Sequence, residues 1–139
     1  MHANDTNMKG EQNNNDKIIY RELSYCINGF CFKVHNTLGR YCKEKQYSDA
    51  LECIFRENKV AFEREKALPV AIIDNNFTNK ADFVIDDKIV IEVKARHIVT
   101  KDDYYQIQRY LKAGGYRLGM IINFRNKYLK PIRVIRVNS

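Results

Sequence analysis

From Ile18 onward the apolar residues Ile19, Leu23, Cys26, Ile27, Phe30, Val34 and Leu38 recur at spacings of three and four. That period puts an apolar stripe on one helix, which ends near Gly39. The spacing returns over Lys45 to Asn58, where Tyr47, Ala50, Leu51, Ile54 and Phe55 predict a second helix. Then the period shortens. Phe62 to Ile73 reads as one or two strands, with Pro69 marking an edge or a break, and Asp74-Asn75-Asn76 as a turn. Strands follow at about Ala81 to Ile85 and Ile89 to Ala95. A third helix covers about Asp102 to Ala113 and stops at Gly114-Gly115, a common closing signal. Leu118 to Phe124 has the composition of a buried strand, and Ile132 to Val137 that of a last one. The order ααββββαββ, without internal repeat, predicts an α+β sandwich with a mixed sheet.

The strands around Asp86-Asp87-Lys88 fix their own register. Ala81, Phe83 and Ile85 share one face of the first strand, and Ile89, Ile91, Val93 and Ala95 share one face of the second. Residues paired across an antiparallel ladder point to the same side. Matching the apolar faces therefore pairs Ile85 with Ile89, Phe83 with Ile91 and Ala81 with Val93, across a three-residue loop. A two-residue loop would mismatch every apolar pair. The matched register sets Asp82 opposite Glu92, with Lys94 two residues along the same face.

Two carboxylates facing across a ladder repel, so one takes up a proton unless a cation lies between them. A hard divalent ion such as Mg²⁺ or Mn²⁺ suits oxygen ligands and keeps waters for a substrate phosphate. Lys94 beside it could orient or deprotonate an attacking water, or stabilise charge on a phosphorane-like transition state. The same three residues would also serve as an ion-pair cluster on a solvated sheet face, with Lys94 neutralising Glu92. Both readings stand on the hairpin alone.

Charge tilts the balance. The 139-residue chain carries a net charge of +7, and from Arg117 to Ser139 it holds Arg117, Arg125, Lys127, Lys130, Arg133 and Arg136 with no acidic residue. A sustained run of one sign fits a polyanionic partner, although a solvated basic face has the same composition. No apolar stretch of about 18 residues is present to span a membrane. Residues 1–16 are polar and Asn-rich, without the apolar core of a secretory signal. They read as a disordered leader to a single domain over residues 17–139, with a cytoplasmic location expected. Cys26, Cys31, Cys42 and Cys53 form no CxxC pair and no zinc-type spacing, so they are expected to be buried thiols acting as small hydrophobes.

With these residues in place, the chain resembles the PD-(D/E)xK nuclease superfamily. Asp82, then nine residues, then Glu92-Val93-Lys94 is similar to its D…(D/E)xK signature. Glu44-Lys45-Gln46-Tyr47 stands where the small GxxExxY proteins have ExxY, and Gln106 and Tyr110 resemble the QxxxY helix of RecB-type exonucleases. Tyr110-Leu111-Lys112-Ala113-Gly114, with Leu118-Gly119 and Ile121-Ile122-Asn123-Phe124, is similar to the YLKA(T/S)G…LGLLINF ending of the GxxExxY proteins. The likeness covers about residues 18 to 137. Two positions depart from it: Tyr41 replaces the glycine three residues before the glutamate, and Asn79-Lys80-Ala81 replaces the frequent Gly-Tyr/Phe-Arg lead to the aspartate, with no proline before Asp82.

The resemblance implies a restriction-endonuclease-like core of α/β/α type, a mixed sheet flanked by helices, with a metal held by Asp82 and Glu92. Glu44 would add a carboxylate, and Gln106 and Tyr110 would orient the metal site or the scissile phosphate. Glu44 as a carboxylate favoured at a helix start, and Tyr110 as core, stay open beside those roles. His97 is assigned no chemistry. RecB-like iron–sulfur variants place cysteines on both sides of the motif, whereas none follows Cys53 here, so no cluster is expected. The expectation is a Mg²⁺- or Mn²⁺-dependent nuclease acting on nucleic acid, DNA ahead of RNA. A non-catalytic nucleic-acid-binding or partner-interaction module retaining the fold is the alternative, with a homodimer or a protein partner left open.

Overall fold

The computed structural model describes residues 18–68 and 80–137. Pro69, the expected turn at Asp74–Asn76, any second strand before it and the N-terminal leader lie outside the described residues. Helix α1 spans Arg21–Leu38 and α2 Glu44–Glu57. Strands β1 (Phe62–Ala67), β2 (Lys80–Ile85) and β3 (Ile89–Lys94) follow, then α3 (Lys101–Gly114), β4 (Leu118–Asn123) and β5 (Ile132–Ile135). Apart from β1, whose expected extent to Ile73 runs past the described residues, these bounds fall within about three residues of the sequence expectation. No helix among the described residues is long and apolar enough to cross a membrane.

The five strands lie in sequence order, antiparallel except for β3 and β4, which are parallel and joined through α3. On one face α1 and α2 bring Ile27, Val34, Leu51 and Phe55 against Phe83, Ile91, Val93, Met120 and Ile122. On the other, Ile107, Tyr110 and Leu111 of α3 pack on Val84, Val90, Ile121 and Val134. Helices thus cover both faces, and β4 between them is buried at every position. This is an α+β sandwich with a mixed sheet and a restriction-endonuclease-like core.

The stripe on α1 differs from the expected one. Its buried line is Ser24, Ile27, Cys31 and Val34, while Cys26 is exposed. Ser24 is accepted inside because its hydroxyl donates to the Arg21 carbonyl at 3.0 Å and receives Arg133 Nη1 at 2.7 Å. A residue one position before Ile27 is turned about 100° away from the core. Cys53 is exposed as well, Cys42 is half-buried, and only Cys31 behaves as a buried hydrophobe. Burial pushes its thiol far up in pKa.

The hairpin turns through Asp86, Asp87 and Lys88, with Ile85 opposite Ile89 and Phe83 opposite Ile91, as the apolar match requires. Asp86 and Asp87 have φ of 53° and 54°, a left-handed conformation that Asp tolerates better than most residues. The expected Ala81–Val93 pair does not form. The β2–β3 ladder stops at Phe83 and Ile91, and Ala81 packs on the α3 side while Val93 packs on the α1/α2 side. The carboxylates at this point are the reason.

Candidate active site

Where the ladder stops, side chains take over its hydrogen bonds. The Val93 amide donates to Asp82 Oδ2 at 2.7 Å, and the Asp82 amide donates to Glu92 Oε2 at 3.0 Å. Each carboxylate thereby satisfies an amide that regular pairing would have used. The second oxygen of Glu92, Oε1, faces the Lys94 amine at 3.8 Å. Across from Asp82 on β1, Glu65 has φ 52° although Arg64 pairs with Phe83 and Lys66 with Ala81 on either side. A left-handed residue inside a strand carries strain of about 1–3 kcal/mol.

The electrostatics are unbalanced toward negative charge. Burial, then the neighbouring Asp82 charge, pushes the Glu92 carboxyl up to about 8. Burial also raises Asp82, opposed by the Val93 amide and by Lys94. Both would be drawn back to the ionised form by a cation. Lys94 Nζ lies 3.8 Å from Glu92 Oε1 and 3.9 Å from Asp103 Oδ1, with its side chain only 12% exposed. Asp103 also receives Arg96 Nη2, the Thr100 amide at 2.8 Å and the Thr100 hydroxyl at 3.2 Å. Burial opposes its ionisation, but the Thr100 amide and Arg96 outweigh that and hold the carboxyl below its usual range.

Glu44 opens α2, and its Oε2 receives the Ala95 amide at 3.3 Å. With Asp82 and Glu65 it lines a cleft of about 340 Å³, and its charge adds to the upward pressure on both Asp82 and Glu92. Even so, no three His, Cys, Asp or Glu side chains among the described residues converge closely enough to form a metal cluster. Asp82 and Glu92 are brought together; Glu44 faces the cleft beside them. The donor set itself suits a hard cation, with carboxylate oxygens not engaged by the backbone and raised pKa values.

Gln106 Nε2 donates to the Tyr110 hydroxyl at 3.0 Å. Tyr110 is 2% exposed, and its hydroxyl is pushed up to about 12 by burial and then by the Glu92 charge. It is therefore core and a neighbour of the carboxylates at once. Tyr47 is structural: its ring stacks on Phe124 at 4.3 Å, and its hydroxyl donates to the Gly39 carbonyl and accepts the Cys42 amide. His97 is exposed.

Three residues receive no role in the sequence reading, although Asn123 stands in the segment that resembles the GxxExxY ending. Asp103 had a legible signal, since Thr100 three residues earlier completes a capping box. Asn123 is buried at the end of β4, where its side chain accepts the Arg96 and Arg125 amides and donates to the Arg96 carbonyl. Neither it nor Glu65 had a local signal, because each role depends on a partner strand.

A family model described as the PD-(D/E)XK nuclease superfamily matches residues 21–137. The solved structure of SSO0001 superposes with a TM-score of 0.54 at 18% identity, over 68% of this chain and 50% of that one. The chain thus spans about half the length of SSO0001, and the likeness is one of fold. Two structures of LHK-Exo, an alkaline exonuclease from Laribacter hongkongensis, superpose with TM-scores of 0.46 and 0.45 at 11% and 13% identity; the second is in complex with dAMP. Each match covers 77% of this chain and 76% of the exonuclease chain. No curated protein sequence matches the chain.

Proposed function

Because the chain belongs to the PD-(D/E)XK nuclease superfamily, we propose that it hydrolyses phosphodiester bonds in DNA with Mg²⁺ or Mn²⁺ held by Asp82 and Glu92. The observation that carries this reading is the buried Glu92 carboxylate beside the half-buried Asp82 one, with the Lys94 amine 3.8 Å from Glu92. Glu44 would join the ion from α2, directly or through water. The ion, when bound, would lower the pKa of a water and offset phosphate charge. Lys94, kept between Glu92 and Asp103, directs an N–H toward the attacking water or the charge developing on a phosphate oxygen. Gln106 and Tyr110, hydrogen-bonded to each other beside Glu92, hold the scissile phosphate in line. Basic side chains near the C-terminus neutralise the nucleic-acid backbone.

Lys94→Ala and Glu92→Ala should each lower Mg²⁺-dependent cleavage of labelled DNA by about 10²-fold or more, with circular dichroism unchanged. Cleavage that survives both substitutions overturns the reading. Asp82→Asn should weaken Mg²⁺ or Mn²⁺ binding by about tenfold in calorimetric titration, since it removes one charged ligand. A second reading has its own support: one oxygen of each carboxylate already serves a backbone amide, and no three-acid cluster forms among the described residues. That arrangement suits a binding module retaining the nuclease fold, and it predicts no heat of Mg²⁺ binding.

A further inference from the structure

We propose that Tyr41, with Arg40 and Arg125, forms a stacking platform for unpaired bases, so that the substrate reaches the site as a single strand. This deepens the nuclease reading and rests on it. Tyr41 sits in the α1–α2 turn and is 76% exposed. The Arg40 and Arg125 guanidiniums lie 5.0 and 5.3 Å from its ring centroid. Arg40 Nε donates to the Arg125 carbonyl at 2.8 Å, which holds the α1–α2 turn against the β4–β5 loop. In that loop Tyr128 is 79% exposed, with Lys127 Nζ 5.5 Å from its centroid.

The Arg40 hydrogen bond accounts for the joining of the two loops, but not for the exposed ring set between the guanidiniums. Tyr41 buries little apolar surface, and Arg40, Arg125 and Lys127 form no ion pair among the described residues. Two guanidiniums gathered on one ring repel each other unless an anion joins them. The buried Nε of Arg125 also lacks an acceptor among the described residues. Exposed aromatic rings interleaved with cations are what a flexible polyanion with π-faces recognises, since bases stack on tyrosine and on guanidinium planes.

The platform lies at the catalytic end of the sheet. The Phe124 amide donates to the Lys94 carbonyl at 2.9 Å, one residue before Arg125. Asn123 Oδ1 takes both the Arg96 and the Arg125 amides. On the other side, Tyr41 precedes Glu44, which receives the Ala95 amide. A strand whose base rests on Tyr41 therefore lays its backbone toward Lys94. A stacked duplex keeps its bases from such a ring and offers it only phosphates.

Fluorescence anisotropy in EDTA tests this without cleavage, using labelled oligo-dT and oligo-U of about 15 nucleotides and a closed hairpin duplex. Tyr41→Ala should weaken single-strand binding by about tenfold, Tyr41→Phe should preserve it, and hairpin affinity should stay within about twofold. Dependence on Tyr41 for either oligo-dT or oligo-U supports the platform and identifies the strand. Equal loss for oligonucleotide and hairpin, or no loss for either, overturns it. Arg125→Gln should also flatten the salt dependence of oligo-dT binding by about 0.7 in log–log slope; an unchanged slope counts against a phosphate role. Tyr41-dependent binding by a protein that cleaves nothing would sink the nuclease reading alone. Cleavage with Tyr41-independent binding would sink the platform alone.

Discussion

Asp103 joins stability to chemistry in a single carboxylate. It caps α3 through Thr100, pairs with Arg96 and lies 3.9 Å from the Lys94 amine. Asp103→Asn keeps the volume and the acceptor for the Thr100 amide but removes the charge. Arg96 is 41% exposed, which screens that pair, so the loss at pH 7 should be about 1–2 kcal/mol. The folded carboxyl is depressed, so its contribution is present above the unfolded pKa and fades as pH falls through the folded one. Thermal unfolding should therefore separate wild type from Asp103→Asn at neutral pH, with the gap closing below about pH 4. A constant gap would show that the charge is not the cause. The nearness of Asp82 and Glu92 was legible at this scale because the Phe83–Ile91 pair pins the register beside them. The ladder nevertheless stops short of the two carboxylates, which meet through backbone amides instead. Asp103 was not singled out, because an acid in the first turn of a helix needs no partner to justify it. Its role emerges only when β3 brings Lys94 and Arg96 alongside.

At the scale of elements, the helix ends show which signals were local. The amide of Val60 donates to the Phe55 carbonyl and that of Lys59 to Arg56, closing α2 with a left-handed residue at Lys59, φ 56°. The same closure on α3 uses Gly115, φ 74°, and was readable from its glycines. On α2 the lysine hid it. Lys59→Gly should raise stability by about 1 kcal/mol, a shift of a few degrees in thermal midpoint, because it removes the left-handed penalty. Gly119 on β4 behaves oppositely: a Cβ there would meet Ile107 Cδ1 at 2.5 Å and Cγ1 at 2.9 Å. Gly119→Ala should cost about 1–3 kcal/mol in denaturant unfolding by lifting α3 from the sheet. Ala81 marks the limit of periodicity. Alternation assigns it to the Phe83 face, and it lies on the other because Asp82 and Glu92 interrupt the ladder on which alternation depends.

Over the whole molecule, the basic surplus divides into unlike parts that a charge count cannot separate. Arg133 belongs to the C-terminal run yet reaches inward, donating to Ser24 Oγ and to the Ile19 carbonyl, both at 2.7 Å. It ties β5 to the start of α1, and burial lowers its pKa. Lys127 is exposed, with its amine 5.5 Å from the centroid of the Tyr128 ring. If backbone phosphates are met by the exposed members alone, each neutralised phosphate should contribute about 0.7 to the log–log salt slope for a single strand. Lys127→Gln should then flatten the slope by about that much and leave the thermal midpoint unchanged. Arg133→Gln should leave the slope unchanged and destabilise the fold by about 1–3 kcal/mol, since two partly buried acceptors lose their charged donor. Measuring binding across a salt series beside thermal unfolding for both variants separates the two roles. Equal slopes and equal midpoints for the pair would mean that the C-terminal run acts as one undifferentiated basic face.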